Sequence, residues 1–266
     1  MLIKEEKIAV SSAILQVKKI EVQASTDKPT IVFLHDALGS IAQWRDFSEL
    51  LAVRCGLNAV VYDRYGYGLS SHCVRDGMES EFRTTVRPND YLHQEADILE
   101  VLLLKLNIRQ PILFGHSDGA TIALLHAAKY KPKAIISESG HVCVEEITHA
   151  GIGKTLQNAT EIKEKLKKYH ENQAETIFNA WHQTWLSTTF QDWNIENDII
   201  QITCPVCIIQ GDNDEYGTFG QVHKIKNAVK GFCEINIIED CGHFPHIEKR
   251  DAILNIAQGF ILNNYK

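Results

Sequence analysis

The sequence predicts an α/β fold: a mostly parallel eight-stranded sheet with helices on both faces and one inserted helical cap. Three observations carry that expectation. Short apolar runs alternate with helical stretches along most of the 266 residues. The central runs are apolar throughout instead of alternating, as strands buried on both faces should be. Between residues 141 and 202 the alternation stops, and helical spacing continues without a strand candidate.

In chain order, residues 8–10 and 13–17 alternate loosely and read as two antiparallel strands. Residues 30–35, starting after Pro29, form a continuous apolar strand. A helix is expected around 41–54, then a short strand over 59–63. Residues 90–106 have helical spacing, with Leu92, Ala96, Leu99 and Leu103 on one side. Strand 112–115 runs into an Ala- and Leu-rich helix over 120–130. Strands over 134–137 and 206–210, a helix near 222–229, a strand over 234–238 and a closing helix over 252–262 complete the pattern. This places a core domain at 1–140 and 203–266, with the cap at 141–202. Within the cap, the Lys/Glu run 161–168 reads as a solvated helix face. Phe178, Trp181, Trp185, Phe190 and Trp193 read mainly as cap core, with Trp181 and Trp185 as candidates to face a pocket.

Composition narrows the function. A hydrophobic share of 44% suits a chain that buries a core without disulfides. A net charge of −7 argues against duplex nucleic acid and anionic membrane as partners. The N-terminus is charged from Lys4 onward, without the apolar core of a signal peptide. No run approaches the roughly 20 apolar residues that span a bilayer, so a cytoplasmic protein is expected. Seven scattered cysteines suit reduced thiols. The Cys204-Pro205-Val206-Cys207 pair lacks a second pair at zinc-site spacing, and the apolar run it opens reads as a buried strand. No histidine pair has metal-ligand spacing on a helix, so no metal or cofactor is expected.

The chemistry concentrates at Gly115-His116-Ser117-Asp118-Gly119. An apolar strand enters this G-x-S-x-G segment and an Ala-rich helix leaves it, the strand–turn–helix context of a nucleophile elbow. A tight turn there lifts the serine hydroxyl above the sheet. Small residues two positions either side let strand and helix approach, and the helix N-terminus favours developing negative charge.

With that segment the chain resembles the α/β-hydrolase family, and four more segments match in order. They are His35-Asp36-Ala37-Leu38-Gly39-Ser40 after the third strand, Asp63-Arg64-Tyr65-Gly66-Tyr67-Gly68-Leu69-Ser70 after the fourth, Gly211-Asp212-Asn213-Asp214, and Cys241-Gly242-His243-Phe244-Pro245-His246-Ile247-Glu248. The resemblance implies an α/β-hydrolase fold with Ser117 as nucleophile, His243 as its base and Asp214 as the acid that orients the base. It further implies an oxyanion hole from the backbone N–H groups of Ala37 and Asp118. Asp212 and Asp240 are rival acids; the family's G-x-x-D spacing selects Asp214, and Asp240 lies too close to His243 in sequence. Relatives with an aspartate nucleophile carry it where Ser117 stands, which argues against dehalogenase and epoxide hydrolase chemistry.

Further pocket candidates are His35, Asp36, His116 and His141, of which His35 and His116, in the loops beside the site, are expected first to hydrogen-bond loop backbone; His246 reads as a local hydrogen bonder. The family's oxyanion loop begins His-Gly and here begins His35-Asp36, so Asp36 is expected either to repel anionic substrates or, preferably, to bond within its loop. The expected activity is hydrolysis of a small, partly apolar ester, lactone, thioester or activated carbon–carbon bond through an acyl-enzyme. The alternatives are acyl transfer to an acceptor other than water, and a slow or receptor-like protein on the same fold.

Overall fold

The computed structural model describes residues 1–22, 28–70 and 86–265. The chain opens with a hairpin of β1 (Leu2–Val10) and β2 (Ala13–Glu21). Then come β3 (Thr30–Leu34), α1 (Phe47–Cys55), β4 (Ala59–Tyr62), α2 (Tyr91–Lys105), β5 (Pro111–His116), α3 (Asp118–Tyr130) and β6 (Ala134–Glu138). Three helices follow without a named strand: α4 (Glu146–Leu156), α5 (Ala159–His170) and α6 (Ala174–Trp185). The core resumes with β7 (Val206–Gly211), α7 (Phe219–Ala228), β8 (Cys233–Ile238), α8 (Pro245–Glu248) and α9 (Arg250–Asn264).

The strands form one eight-stranded sheet in the order β1-β2-β4-β3-β5-β6-β7-β8. β1 pairs antiparallel with β2, and β2 with β4; the remaining pairs are parallel. Side chains alternate between two apolar cores, as the pleat requires. Ile31 and Phe33 join Ile112, Phe114, Ile209 and residues of α1 and α9 on one face. Val32 and Leu34 join Leu113, Ile135, Ile208 and residues of α2 and α3 on the other. Among the described residues no helix is long and apolar enough to cross a membrane.

Two elements differ from the sequence expectation. The helix expected over 41–54 is two pieces, a 3₁₀ turn at Ile41–Trp44 and α1. Between them Arg45 takes φ 52°, outside helical space. The turn is held from outside, because Ile41 N–H donates to Asp63 Oδ1 at 2.7 Å. The first strand runs from Leu2, six residues before the apolar signal begins. It is an edge strand whose Lys4, Glu5, Glu6 and Lys7 face solvent, so its charges hide its pairing from pattern reading and guard the edge.

From β3 the chain steps outward to β4 and then returns to β5 on the other side of β3. In such sheets, ligands bind beyond the carboxyl ends of the strands at this switch point. Leu34↔Gly115 register sets the ends of β3 and β5 side by side there.

Candidate active site

β5 delivers Ser117 at the switch point in a conformation few side chains adopt, φ 54° and ψ −118°. Two glycines make the turn possible by absence of volume. A Cβ on Gly119 would lie 2.1 Å from the Leu34 carbonyl oxygen, and one on Gly115 would lie 2.2 Å from the Gly119 oxygen. Ser117 N–H donates to Glu138 O at 2.9 Å, anchoring the turn to β6.

His243 stands opposite, in the loop between β8 and α8. Its Nε2 is 3.0 Å from Ser117 Oγ. Its Nδ1 is 2.9 Å from both carboxylate oxygens of Asp214, at the end of β7. A carboxylate only accepts, so Nδ1 carries the proton and Nε2 is left to accept from the serine hydroxyl. Asp214 is itself fixed: Gln210 Nε2 donates to Oδ2 at 2.6 Å and Tyr216 N–H to Oδ1 at 2.8 Å. All three side chains are buried. Asp212 and Asp240, the rival acids, are exposed, and Asp212 instead accepts from Cys241 N–H at 3.1 Å.

Burial pushes the His243 imidazole toward lower pKa. The charge and hydrogen bond of Asp214 outweigh it, so the pKa stands above the usual histidine value. Burial likewise works to raise Asp214, yet His243 draws its pKa down to about 2. Each partner favours the charged form of the other.

A cavity of about 50 Å³ lies against Ser117. Asp36, Ala37, Asp118, His141, Trp181 and Trp185 line it, as does His243. The sequence reading missed five wall residues, Leu38, Thr148, Ile152, Tyr216 and Phe244. Leu38 and Phe244 sit inside matched segments at positions the pattern leaves open, and Thr148, Ile152 and Tyr216 lie outside those segments. His141 Nε2 is tied to Tyr216 O at 3.2 Å, and its ring meets Trp185 edge-on with centroids 5.3 Å apart. Phe178, Phe190 and Trp193 are buried among the helical segment's other aromatics and do not line the cavity.

His35 and His116 lie behind the wall instead of in it. His35 is closed between loop backbones: its Nε2 accepts from Arg64 N–H at 3.0 Å, and its Nδ1 donates to Asp36 O at 2.8 Å. His116 Nε2 is 2.8 Å from the His243 carbonyl. Burial holds its pKa down at about 4, so the ring is neutral and donates there. The Asp36 carboxylate bonds within its own loop, accepting from Leu38 N–H at 3.3 Å.

Ala37 and Asp118 border the same cavity. Asp118 opens α3, where an N–H has no preceding turn to accept it. Behind the site, His116, Glu138 and His246 bring potential metal-ligating atoms within 4.8 Å of one another. His246 Nδ1 closes on Glu138 Oε2 at 2.6 Å, so the trio is already engaged in a buried hydrogen bond. Positions this far apart in sequence give no spacing signal.

The fold has counterparts. A family model described as the alpha/beta hydrolase family matches residues 31–256. The chain belongs to the alpha/beta hydrolase family. It is 23% identical to a proline iminopeptidase of Saccharolobus solfataricus, over 77% of this chain and 76% of that protein. It is 24% identical to the serine hydrolase BPHL of Mus musculus, over 76% of this chain and 68% of that one. The crystal structure of the enol-lactonase from Burkholderia xenovorans LB400 superposes with a TM-score of 0.74 at 15% identity, covering 97% of this chain and all of that one (100%). These family members are similar in fold and differ in named activity.

Proposed function

We propose that the protein is a serine hydrolase acting on small carboxylic esters, lactones or thioesters through an acyl-enzyme. The observation that carries this reading is the continuous chain from Ser117 Oγ through His243 to Asp214, with contacts of 3.0 and 2.9 Å. A neutral serine hydroxyl is a weak nucleophile and needs a base within hydrogen-bond reach. As Ser117 Oγ attacks the carbonyl carbon, His243 Nε2 takes its proton, and Asp214 stabilises the imidazolium that forms. The carbonyl oxygen becomes an oxyanion that the Ala37 and Asp118 amides receive. His243 then gives its proton to the leaving oxygen or sulfur, leaving an ester on Ser117. Water, deprotonated by the same imidazole, releases the acid and restores the serine.

The cavity argues for a short acyl part. At about 50 Å³ it is a small cavity. The walls of Leu38, Ile152, Trp181 and Trp185 favour an apolar one. In this reading residues 141–202 form a cap over the site and supply most of its specificity.

A panel of p-nitrophenyl esters, lactones and thioesters, run on wild type and Ser117→Ala, tests the proposal. Turnover that prefers short acyl chains and vanishes with Ser117→Ala is the expected result. Equal turnover by both proteins would overturn it.

A further inference from the structure

Arg64 is the largest fully buried side chain of the described protein, with none of its side-chain surface exposed. It directly follows Asp63 at the end of β4 and does not line the cavity. A buried guanidinium costs several kcal/mol in lost hydration, and an apolar side chain of equal volume would hold a loop more cheaply. Its contacts show what an apolar side chain would not supply.

Arg64 Nη2 donates to the carbonyl of Asp36 at 2.7 Å. The backbone N–H of Arg64 donates to His35 Nε2 at 3.0 Å, which leaves the His35 proton on Nδ1. That proton goes to the same Asp36 carbonyl at 2.8 Å. One oxygen thus receives two donors, both set by Arg64. The Asp36 carbonyl and the Ala37 N–H belong to one peptide group, and the described chain has no cis peptide bond. In a trans peptide the two point in opposite directions. Pinning the carbonyl behind the wall therefore presents the Ala37 N–H on the other side, where Ala37 borders the cavity. The same Nη2 also faces the elbow. Nη2 lies 3.6 Å from Asp118 Oδ2, which also accepts from Tyr91 O–H at 3.1 Å.

We propose that Arg64 is a positioning residue that couples the two halves of the oxyanion hole, holding the Ala37 and Asp118 amides at the spacing a tetrahedral intermediate needs. This inference rests on the serine hydrolase reading of the site. It also explains how the loop works with Asp36 where the family carries glycine: the peptide is oriented by the guanidinium behind it, and the Asp36 carboxylate stays engaged with Leu38 N–H. The donors are preorganised before charge develops, which is where such groups gain most of their effect.

The test compares wild type, Arg64→Met and Arg64→Lys on p-nitrophenyl acetate, with a trifluoromethyl ketone as a probe that forms a tetrahedral oxyanion on serine. Arg64→Met is expected to lower kcat by about 10- to 100-fold with KM within about twofold. The ketone's Ki should rise by the same factor as kcat falls, while the acid limb of the pH profile stays in place because His243 and Asp214 are untouched. Arg64→Lys should recover part of the loss. A kcat near wild type, or a loss of kcat without weaker ketone binding, overturns the inference. If Arg64→Met does not fold, Asp118→Asn keeps the amide and removes the ion pair; the same paired change in kcat and Ki is expected, and an unchanged pair overturns it. Fluorophosphonate labelling of wild-type Ser117 separates the two levels. A labelled wild type with unaffected variants defeats this inference alone, and an unlabelled wild type defeats the hydrolase reading with it.

Discussion

His116 Nε2 donates to the main-chain carbonyl of His243 across 2.8 Å, so the residue before the nucleophile holds the backbone of the residue facing it. The two rings lie 5.1 Å apart. Behind them His246 packs against His116 at 4.9 Å and bonds Glu138 at 2.6 Å. Nucleophile turn, base loop and β6 are thereby fastened into one unit.

The pH dependence follows from the His243–Asp214 pair. The base must be neutral to accept the serine proton, so kcat/KM should rise with pH through a pKa above the ordinary value of about 6.5. Asp214→Asn removes the charge that holds this pKa up. Its acid limb should move to lower pH while kcat falls by about 10³- to 10⁴-fold. A pH profile of both proteins checks the direction.

The same pair contributes to stability with a definite sign. The Asp214 pKa falls from its ordinary value of about 3.9 to about 2 in the folded state. Its contribution is therefore present above pH ~4 and lost as pH falls toward 2. Urea unfolding at pH 5 and pH 3 should show wild type losing more stability between them than Asp214→Asn.

The elbow has no room for a methyl group. Gly119→Ala would drive its Cβ to 2.1 Å from the Leu34 oxygen, backbone that cannot swing aside. A loss of about 1–3 kcal/mol or more in urea unfolding is expected, with activity falling as the turn shifts. Gly153→Ala, inside α4 with nothing within 4 Å, is the contrast and should keep or raise stability, by about 0.5–1 kcal/mol.

Glu138 and His246 are buried partners through Oε2, and Glu138 Oε1 has no hydrogen-bond partner among the described residues. Glu138→Ala strands the His246 Nδ1 group in the core and should cost about 1–3 kcal/mol in urea unfolding. Glu138→Gln keeps an acceptor at that position and should cost clearly less.

The acyl wall is open to redesign. Trp181→Ala and Ile152→Ala enlarge the cavity and should shift preference toward longer p-nitrophenyl esters, with kcat/KM for hexanoate rising relative to acetate. The ratio across a chain-length series reads the change directly.

What the sequence made legible follows from how local each signal is. Gly115 and Gly119 announce the elbow because close packing forbids any other residue there, and the apolar run of β5 announces its strand. β1 was half hidden because an exposed edge strand carries charges at the positions that would otherwise alternate. Arg45 split a helix that apolar spacing drew as continuous. At the site, Asp214 sits at a position the family pattern marks. Arg64 and Glu138 do their work through partners far off in sequence, Asp36 and His246, which leave no trace in local spacing; Tyr216 fixes Asp214 through a backbone N–H, which no side-chain pattern reports. For His35 and His116 loop position points to backbone hydrogen bonds and leaves a place in the pocket open; their partners settle which side of the wall they occupy.

The most direct measurement is covalent labelling of the intact protein by a fluorophosphonate, followed by mass spectrometry of its peptides. One adduct per chain on Ser117, forming slowly or not at all in His243→Ala, is the predicted result. An absence of adduct in the folded wild type, or labelling at equal rate in His243→Ala, would contradict a serine activated by the imidazole beside it.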